Sequence, residues 1–216
     1  MFAGITQSVQ PIISAVVKNR CCTVRIKTPR GWRLALGASV SVDGICSTVA
    51  RQGKDFFEVA YMPETLKKTT ASSFAKGTSL NLERSLKLSD YVDGHFVAGH
   101  VDAVARVASF KKTGDAAVLV LELPKQIRAG VVVRGSIAIN GVSLTVAHKS
   151  EGSIKVALIP YTLMHTNMSS LQKGTFVNVE TDMMIRLKVA ARESGGRVKC
   201  NATKRIRAKR LPRGRR

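Results

Sequence analysis

Residues 43–50 read DGICSTVA, and residues 140–147 read NGVSLTVA. The phrase returns 97 positions later, with Cys46 in one copy where Ser143 stands in the other. The echo extends. At the same offset VAYMPETLKKTTASSFAKGTSLNLE (59–83) overlies VALIPYTLMHTNMSSLQKGTFVNVE (156–180), with 13 of 25 positions identical. Unrelated segments agree at roughly one position in fifteen to twenty at ordinary composition, so the repeat is real. Its period is too long for a solenoid, whose units span about 20–50 residues, and suits one small domain. The 216 residues therefore read as two homologous domains in tandem.

Short β-branched runs dominate both halves: ISAVVKN, CTVRIKT, ASVSVDG, FFEVAYM and SLNLERS, then AAVLVLEL, GSIAING, SIKVALI and FVNVETD. Gly, Asp, Asn or Lys turns separate them at barrel or sandwich spacing. Asp-Gly and Asn-Gly in the repeated phrase favour tight turns with positive φ. Pro63-Glu64-Thr65-Leu66 and Pro160-Tyr161-Thr162-Leu163 each follow a strand. Proline cannot donate to a central ladder, so each strand ends there and a short helical turn follows. DMMIRLKVAARE (182–193) combines helix formers with an acidic start, and Gly195-Gly196 ends it. The expected layout is one barrel over 1–94, a second over 95–182, a helix over 183–195 and a basic tail over 196–216.

No run nears the roughly 18 apolar residues of a membrane span, and MFAGITQSVQPIISAVV has no basic leader, so neither membrane nor secretion is expected. Cys21, Cys22, Cys46 and Cys200 lack metal-ligand spacing, which suits a reduced, cytoplasmic setting. The formal charge is +21, and residues 197–216 hold ten Lys or Arg and no acid. Three readings of that tail stand: a solvated extension, a phosphate contact with nucleic acid, or drift toward a basic proteome. No aromatic residue interleaves it, so base stacking is not suggested.

Residues two apart share a strand face, so Cys46 with Thr48, and Ser143 with Thr145, belong to a common edge of each barrel. Cys46 reads as a candidate thiol nucleophile with Ser143 its hydroxyl counterpart. The bland alternative is a small buried hydrophobe, which the swap to Ser weakens. In GHFVAGHVD, His95 and His100 are five apart and would face opposite ways on a strand, so no two-His metal site follows. FVAGHVD (96–102) aligns with MFAGITQ (1–7), which puts His100 where Ile5 stands. One site thus has an acid–base group that its twin lacks. No P-loop, GxGxxG, HExxH or GxSxG is present.

MFAGITQ, DGICSTV, MPETL, DGHFVAGHVD, INGVSLTV, LIPYTL and VNVETD resemble, in order, the landmarks of riboflavin synthases built from two lumazine-binding domains. The resemblance runs from Met1 to about Arg192. It implies an all-β fold of two six-stranded Greek-key barrels, a C-terminal helix and a homotrimer, with a possible association with lumazine synthase. It implies dismutation of two 6,7-dimethyl-8-ribityllumazine molecules to riboflavin and 5-amino-6-ribitylamino-pyrimidinedione, without external cofactor or metal. Each barrel would hold one substrate, and the active site would lie where domain one of a subunit faces domain two of a neighbour.

Carried over by position, the resemblance makes Cys46 the active-site cysteine and His100 an acid–base group across the interface. Ser143 and Asp182 join them as catalytic candidates. It implies pocket contacts from Cys46, Ser47 and Thr48 in one barrel and Ser143, Leu144 and Thr145 in the other. Gly4, Ile5 and Thr6, matched by Gly99, His100 and Val101, would supply ring contacts. Met62, Pro63, Glu64 and Thr65, and Ile159, Pro160, Tyr161 and Thr162, would hold the ribityl chains, with Arg134 at a usual basic position. The chain departs from the family's MFTG at Ala3, from its SGH at Ala98 and from its P-E-T at Tyr161. The alternative is a non-catalytic lumazine- or flavin-binding relative, which in that class tends to lack the His100 motif, associated with RNA through the tail.

Overall fold

The computed structural model describes residues 1–193; the expected helix stop at 195 and the basic tail lie outside them. Domain one comprises β1 (Ser8–Lys18), β2 (Cys21–Lys27), β3 (Ser39–Val42), β4 (Ile45–Thr48), β5 (Arg51–Gln52), β6 (Phe56–Tyr61), α1 (Pro63–Lys68) and β7 (Ser79–Arg84). Domain two repeats the plan with β8 (Ala103–Thr113), β9 (Ala116–Glu122), β10 (Ser136–Ile139), β11 (Val142–Lys149), β12 (Ser153–Leu158), α2 (Pro160–His165) and β13 (Phe176–Thr181). A final helix, α3 (Met183–Glu193), follows.

The second sheet closes in the order β10-β11-β12-β9-β8-β13. The first runs β4-β3-β7-β1-β2-β6-β5, and its two edges are successive pieces of one segment. The Val49 N–H donates to Ala38 O on one side and the Ala50 N–H to Glu58 O on the other. β4 and β5 together occupy the place of the continuous β11 (45 + 97 = 142 and 52 + 97 = 149). The expected six strands are therefore seven pieces in domain one. The repeat offset is 95 through β1 and β2 (103 − 8 and 116 − 21) and 97 from β3 onward (136 − 39), which places a two-residue difference in the loop before β3.

Alternation builds each wall. In β2, Cys22, Val24 and Ile26 point inward while Thr23 and Lys27 face solvent; in β9, Ala117, Leu119 and Leu121 do the same. Each barrel encloses its own apolar core. β8 escapes the sequence signals because Ala, Ser and Lys dilute its β-branched residues. Pro63 and Pro160 open their six-residue helices, where a missing N–H costs nothing. Both repeated turns have positive φ at two residues, Asp43 (46°) with Gly44 (79°) and Asn140 (44°) with Gly141 (76°). That is the type I′ hairpin geometry the two dipeptides favour.

These turns meet across a local two-fold axis between the barrels. A Cβ on Gly44 would lie 2.7 Å from the Gly141 nitrogen, and one on Gly141 would lie 2.7 Å from the Gly44 nitrogen. Around them, Asn81 Nδ2 donates to Asn140 O (3.0 Å) and Asn178 Nδ2 to Asp43 O (2.8 Å). Around the two turns the seam is hydrogen-bonded, and its geometry there is specified residue by residue.

Two members break the symmetry: Asp43 stands where Asn140 stands, and Thr70 where Asn167 stands. The buried Asp43 Oδ1 accepts from the Asn81 N–H (2.7 Å) and from Asn167 Nδ2 (3.0 Å). Burial outweighs those bonds and pushes the carboxyl up to about 7. A raised acid pKa means that the folded state binds more protons than the unfolded state between about pH 4 and 7, so stability falls as pH rises through that window. Asp43→Asn keeps the Oδ1 acceptor and loses the charge. Its stabilisation should be larger at pH 8 than at pH 5, by at most about 3 kcal/mol, since about two pH units of the window lie above pH 5 at about 1.4 kcal/mol per unit. Thermal melts at the two pH values decide it; an equal difference at both would sink the assignment.

Candidate functional site

The segment that enters each barrel docks on the other barrel. The Cys46 N–H of β4 donates to the Gly99 carbonyl (2.8 Å), and the Ser143 N–H of β11 donates to the Gly4 carbonyl (2.7 Å). Gly99 (φ 78°) passes so close that a Cβ there would lie 2.7 Å from Cys46 Cβ; at Gly4 (φ 75°) it would lie 2.8 Å from Ser143 Cβ. The two loops run back to back, joined by Phe2 N–H to Val97 O (2.8 Å) and Val97 N–H to Phe2 O (3.0 Å). Phe2, Val97, Ala138 and the partly buried Cys46 fill the space between them.

Two pseudo-equivalent sites result. The first has Cys46 and Thr48 on the outer face of β4, with Ser41 opposite Cys46 on β3 and Gly99, His100 and Val101 arriving from domain two. His100 is exposed there, and Val101 packs on the first barrel's core. The second has Ser143 and Thr145 on β11, with Gly4, Ile5 and Thr6 arriving from domain one. Cys46 and the His100 segment thus meet within one chain.

The second site holds an element that the sequence reading passed over. His95 is buried, and its Nδ1 lies 2.7 Å from Ser143 Oγ. Residues 95–96 and 98–100 lie outside any strand, so face-counting did not apply to the two histidines. Gly94 clears the way, since a Cβ there would meet Ser143 Oγ at 3.0 Å and the Ala3 carbonyl still closer. Burial lowers the His95 pKa below its ordinary value, while the Asp182 carboxylate pulls it back up. Asp182 also caps α3, its Oδ1 accepting the Met184 N–H (2.9 Å). Among the described residues, His95 Nε2 and Thr6 Oγ1 are buried without a partner. Both flank Ser143.

The lumazine binding domain family model matches residues 3–85 and again 98–182. The chain is 35% identical over 185 residues to the riboflavin synthase of Bacillus subtilis (strain 168), covering 85% of this chain and 86% of that one. It is 36% identical over 192 residues to that of Brucella abortus (strain 2308), covering 86% and 95%. The chain belongs to the riboflavin synthase family. Among solved structures it resembles LumP complexed with riboflavin (TM-score 0.78, 25% identity, 84% of this chain and 99% of that one). LumP complexed with 6,7-dimethyl-8-(1'-D-ribityl) lumazine gives a TM-score of 0.76 at 25% identity over the same shares.

Within this riboflavin synthase framework the other candidates divide. Ser47 and Leu144 alternate inward: Ser47 Oγ bonds Ile45 O and Tyr61 Oη (both 2.9 Å), and Leu144 joins the second core. Their side chains do not reach a pocket; contact from them would run through backbone. Met62 and Ile159 are exposed ahead of α1 and α2. Glu64 spends its charge on Lys68 (2.8 Å) at the surface. The Thr65 and Thr162 carbonyls accept the Thr69 and Thr166 hydroxyls (2.7 and 2.6 Å). Tyr161 stacks on His165 (4.0 Å between centroids) and, with Thr6, Trp32 and Arg84, lines a groove of about 620 Å³ spanning both domains. Arg134 sits at φ 65° with its N–H on Val146 O, at the end of the β10–β11 hairpin away from Ser143.

Proposed function

We propose that each of the two sites binds one 6,7-dimethyl-8-ribityllumazine and that the pair carries out the riboflavin synthase dismutation. A four-carbon unit leaves one lumazine for the other, giving riboflavin and 5-amino-6-ribitylamino-pyrimidinedione. The observation that carries this reading is the crossed docking: one scaffold presents two matched sites, with a thiol beside the His100 segment in one and a hydroxyl bonded to an imidazole in the other. A reaction between two copies of one substrate needs matched binding and unmatched acid–base groups. Holding two rings in reacting geometry removes about 7–11 kcal/mol of barrier, so the catalytic inventory can be small.

The reading also places the protein in a homotrimer, packed through α3. Met184 and Leu187, one turn apart, expose apolar side chains on the single chain. The departures at Ala3 and Ala98 leave the scaffold bonds intact, because both positions act through their N–H groups.

The test is incubation of the purified protein with 6,7-dimethyl-8-ribityllumazine and no added cofactor, following riboflavin absorbance. Turnover is expected, falling by about 10²–10⁴ in Cys46→Ala and in His100→Ala, from a particle about three times the 23.3 kDa chain in sedimentation. Stoichiometric binding without turnover would make it a non-catalytic binding relative.

A further inference from the structure

We infer that Glu83 and Glu180 are crosswise positioning residues: each is fixed in one barrel and holds the loop that completes the site on the other. The inference rests on the two-site reading above and adds what sets the geometry of each site.

Glu83 ends the aligned repeat in domain one, and Glu180 ends it in domain two. Each carboxylate, 3% exposed, faces the incoming loop of its own barrel. Glu83 Oε1 accepts the Ala3 N–H (2.6 Å) and Oε2 the Gly4 N–H (3.0 Å). Glu180 Oε1 accepts the Ala98 N–H (2.8 Å) and Oε2 the Gly99 N–H (2.9 Å). The peptide so held turns its next carbonyl to the other barrel, Gly4 O to the Ser143 N–H and Gly99 O to the Cys46 N–H. The relay is thus Glu83 to Gly4 to Ser143, and Glu180 to Gly99 to Cys46.

Only a carboxylate offers an acceptor on both arms. Glutamine would turn an NH₂ toward one of the two N–H groups and leave a buried donor unmatched. Burial raises both carboxyls, Glu83 to about 7, while the backbone N–H groups oppose it. Retaining two acidic groups in that setting is a cost that position alone does not explain. Glu180 has a further tie: Arg186 Nη2 lies 3.7 Å from it, and the same guanidinium bonds Asp102 (2.6 Å), so α3 braces the clamp that serves the first site.

The test uses the full chain and thiol reactivity, which needs no turnover and so is read independently of the synthase assay. Alkylation of Cys46 by iodoacetamide, located by peptide mass spectrometry, reports the first site. The same measurement on Ser143→Cys reports the second. Glu180→Gln should change the Cys46 rate by about tenfold or more and leave the alkylation rate of the thiol introduced by Ser143→Cys unchanged. Glu83→Gln should do the reverse. In parallel, riboflavin should protect the thiol in the undisturbed site and fail to protect the disturbed one. If either substitution alters both thiols alike in protein with an unchanged melt, the glutamates are general scaffold and the crossing is wrong. If neither alters its thiol, the clamp positions nothing. Should a Gln variant not fold, Glu83→Asp and Glu180→Asp, which keep the charge but shorten the reach, give the same crossed pattern or overturn it.

Discussion

Gly44→Ala is expected to melt about 5–15 °C below the parent protein and to lose both sites together. Two costs combine. The φ of 79° is one an L-residue adopts only at about 1–2 kcal/mol. The new Cβ would also stand 2.7 Å from the Gly141 nitrogen and 3.1 Å from its Cα. Those are backbone atoms of the facing turn and cannot swing aside, so overpacking of about 1–3 kcal/mol is added. For a chain of this size, each kcal/mol is worth about 2–4 °C. Because the strain falls on the seam, the barrels part where the crossed loops must stay docked. Gly31→Ala is the control: φ is 79° there too, with nothing within 4 Å of the new Cβ. It carries the backbone cost alone. A melting point for Gly44→Ala no lower than that of Gly31→Ala would show that the close approach is not a constraint.

That seam marks how far the sequence could be read. The repeat declared two domains, the Asp-Gly and Asn-Gly turns and the proline-started helices, because each rests on local geometry that two residues determine. It could not declare the crossing. Equivalence of Gly4 with Gly99 and of Cys46 with Ser143 is the same whether a loop docks on its own barrel or on the other; only packing distinguishes the two. Ser47 and Leu144 were recoverable, since strict alternation from Cys46 and Ser143 turns both inward. Glu83 and Glu180 were marked as identical repeat residues, yet an acid at a strand end reads as a solvated terminus until burial is known. His95 had no signal of that kind. The aligned segments begin at Phe96 against Met1, one residue past His95, so the repeat gave it no partner to be compared with.

That unmatched histidine should control the chemistry of the second site. His95→Ala is expected to lower kcat by about 10²–10⁴ with a smaller change in KM, and Ser143→Ala to act in the same direction. The reason is the 2.7 Å contact between Nδ1 and Oγ, which in the tautomer protonated at Nε2 gives the Ser143 hydroxyl a proton acceptor shielded from solvent. His95→Asn keeps a polar group near Ser143 but cannot exchange the proton over the same range, so it should recover KM and not kcat. The pH profile separates a base from a scaffold. Burial holds the imidazole pKa below its ordinary value, so the neutral, accepting form should persist to more acid pH than a solvated histidine allows. Asp182 works against that burial by favouring the charged ring. Asp182→Asn retains the cap on α3, because asparagine serves at that position as well, and removes the charge. The acid limb of kcat/KM should then move further toward low pH. A limb that stays in place in Asp182→Asn, or that is unchanged in His95→Asn, would assign the limb to another group and reduce His95 to packing.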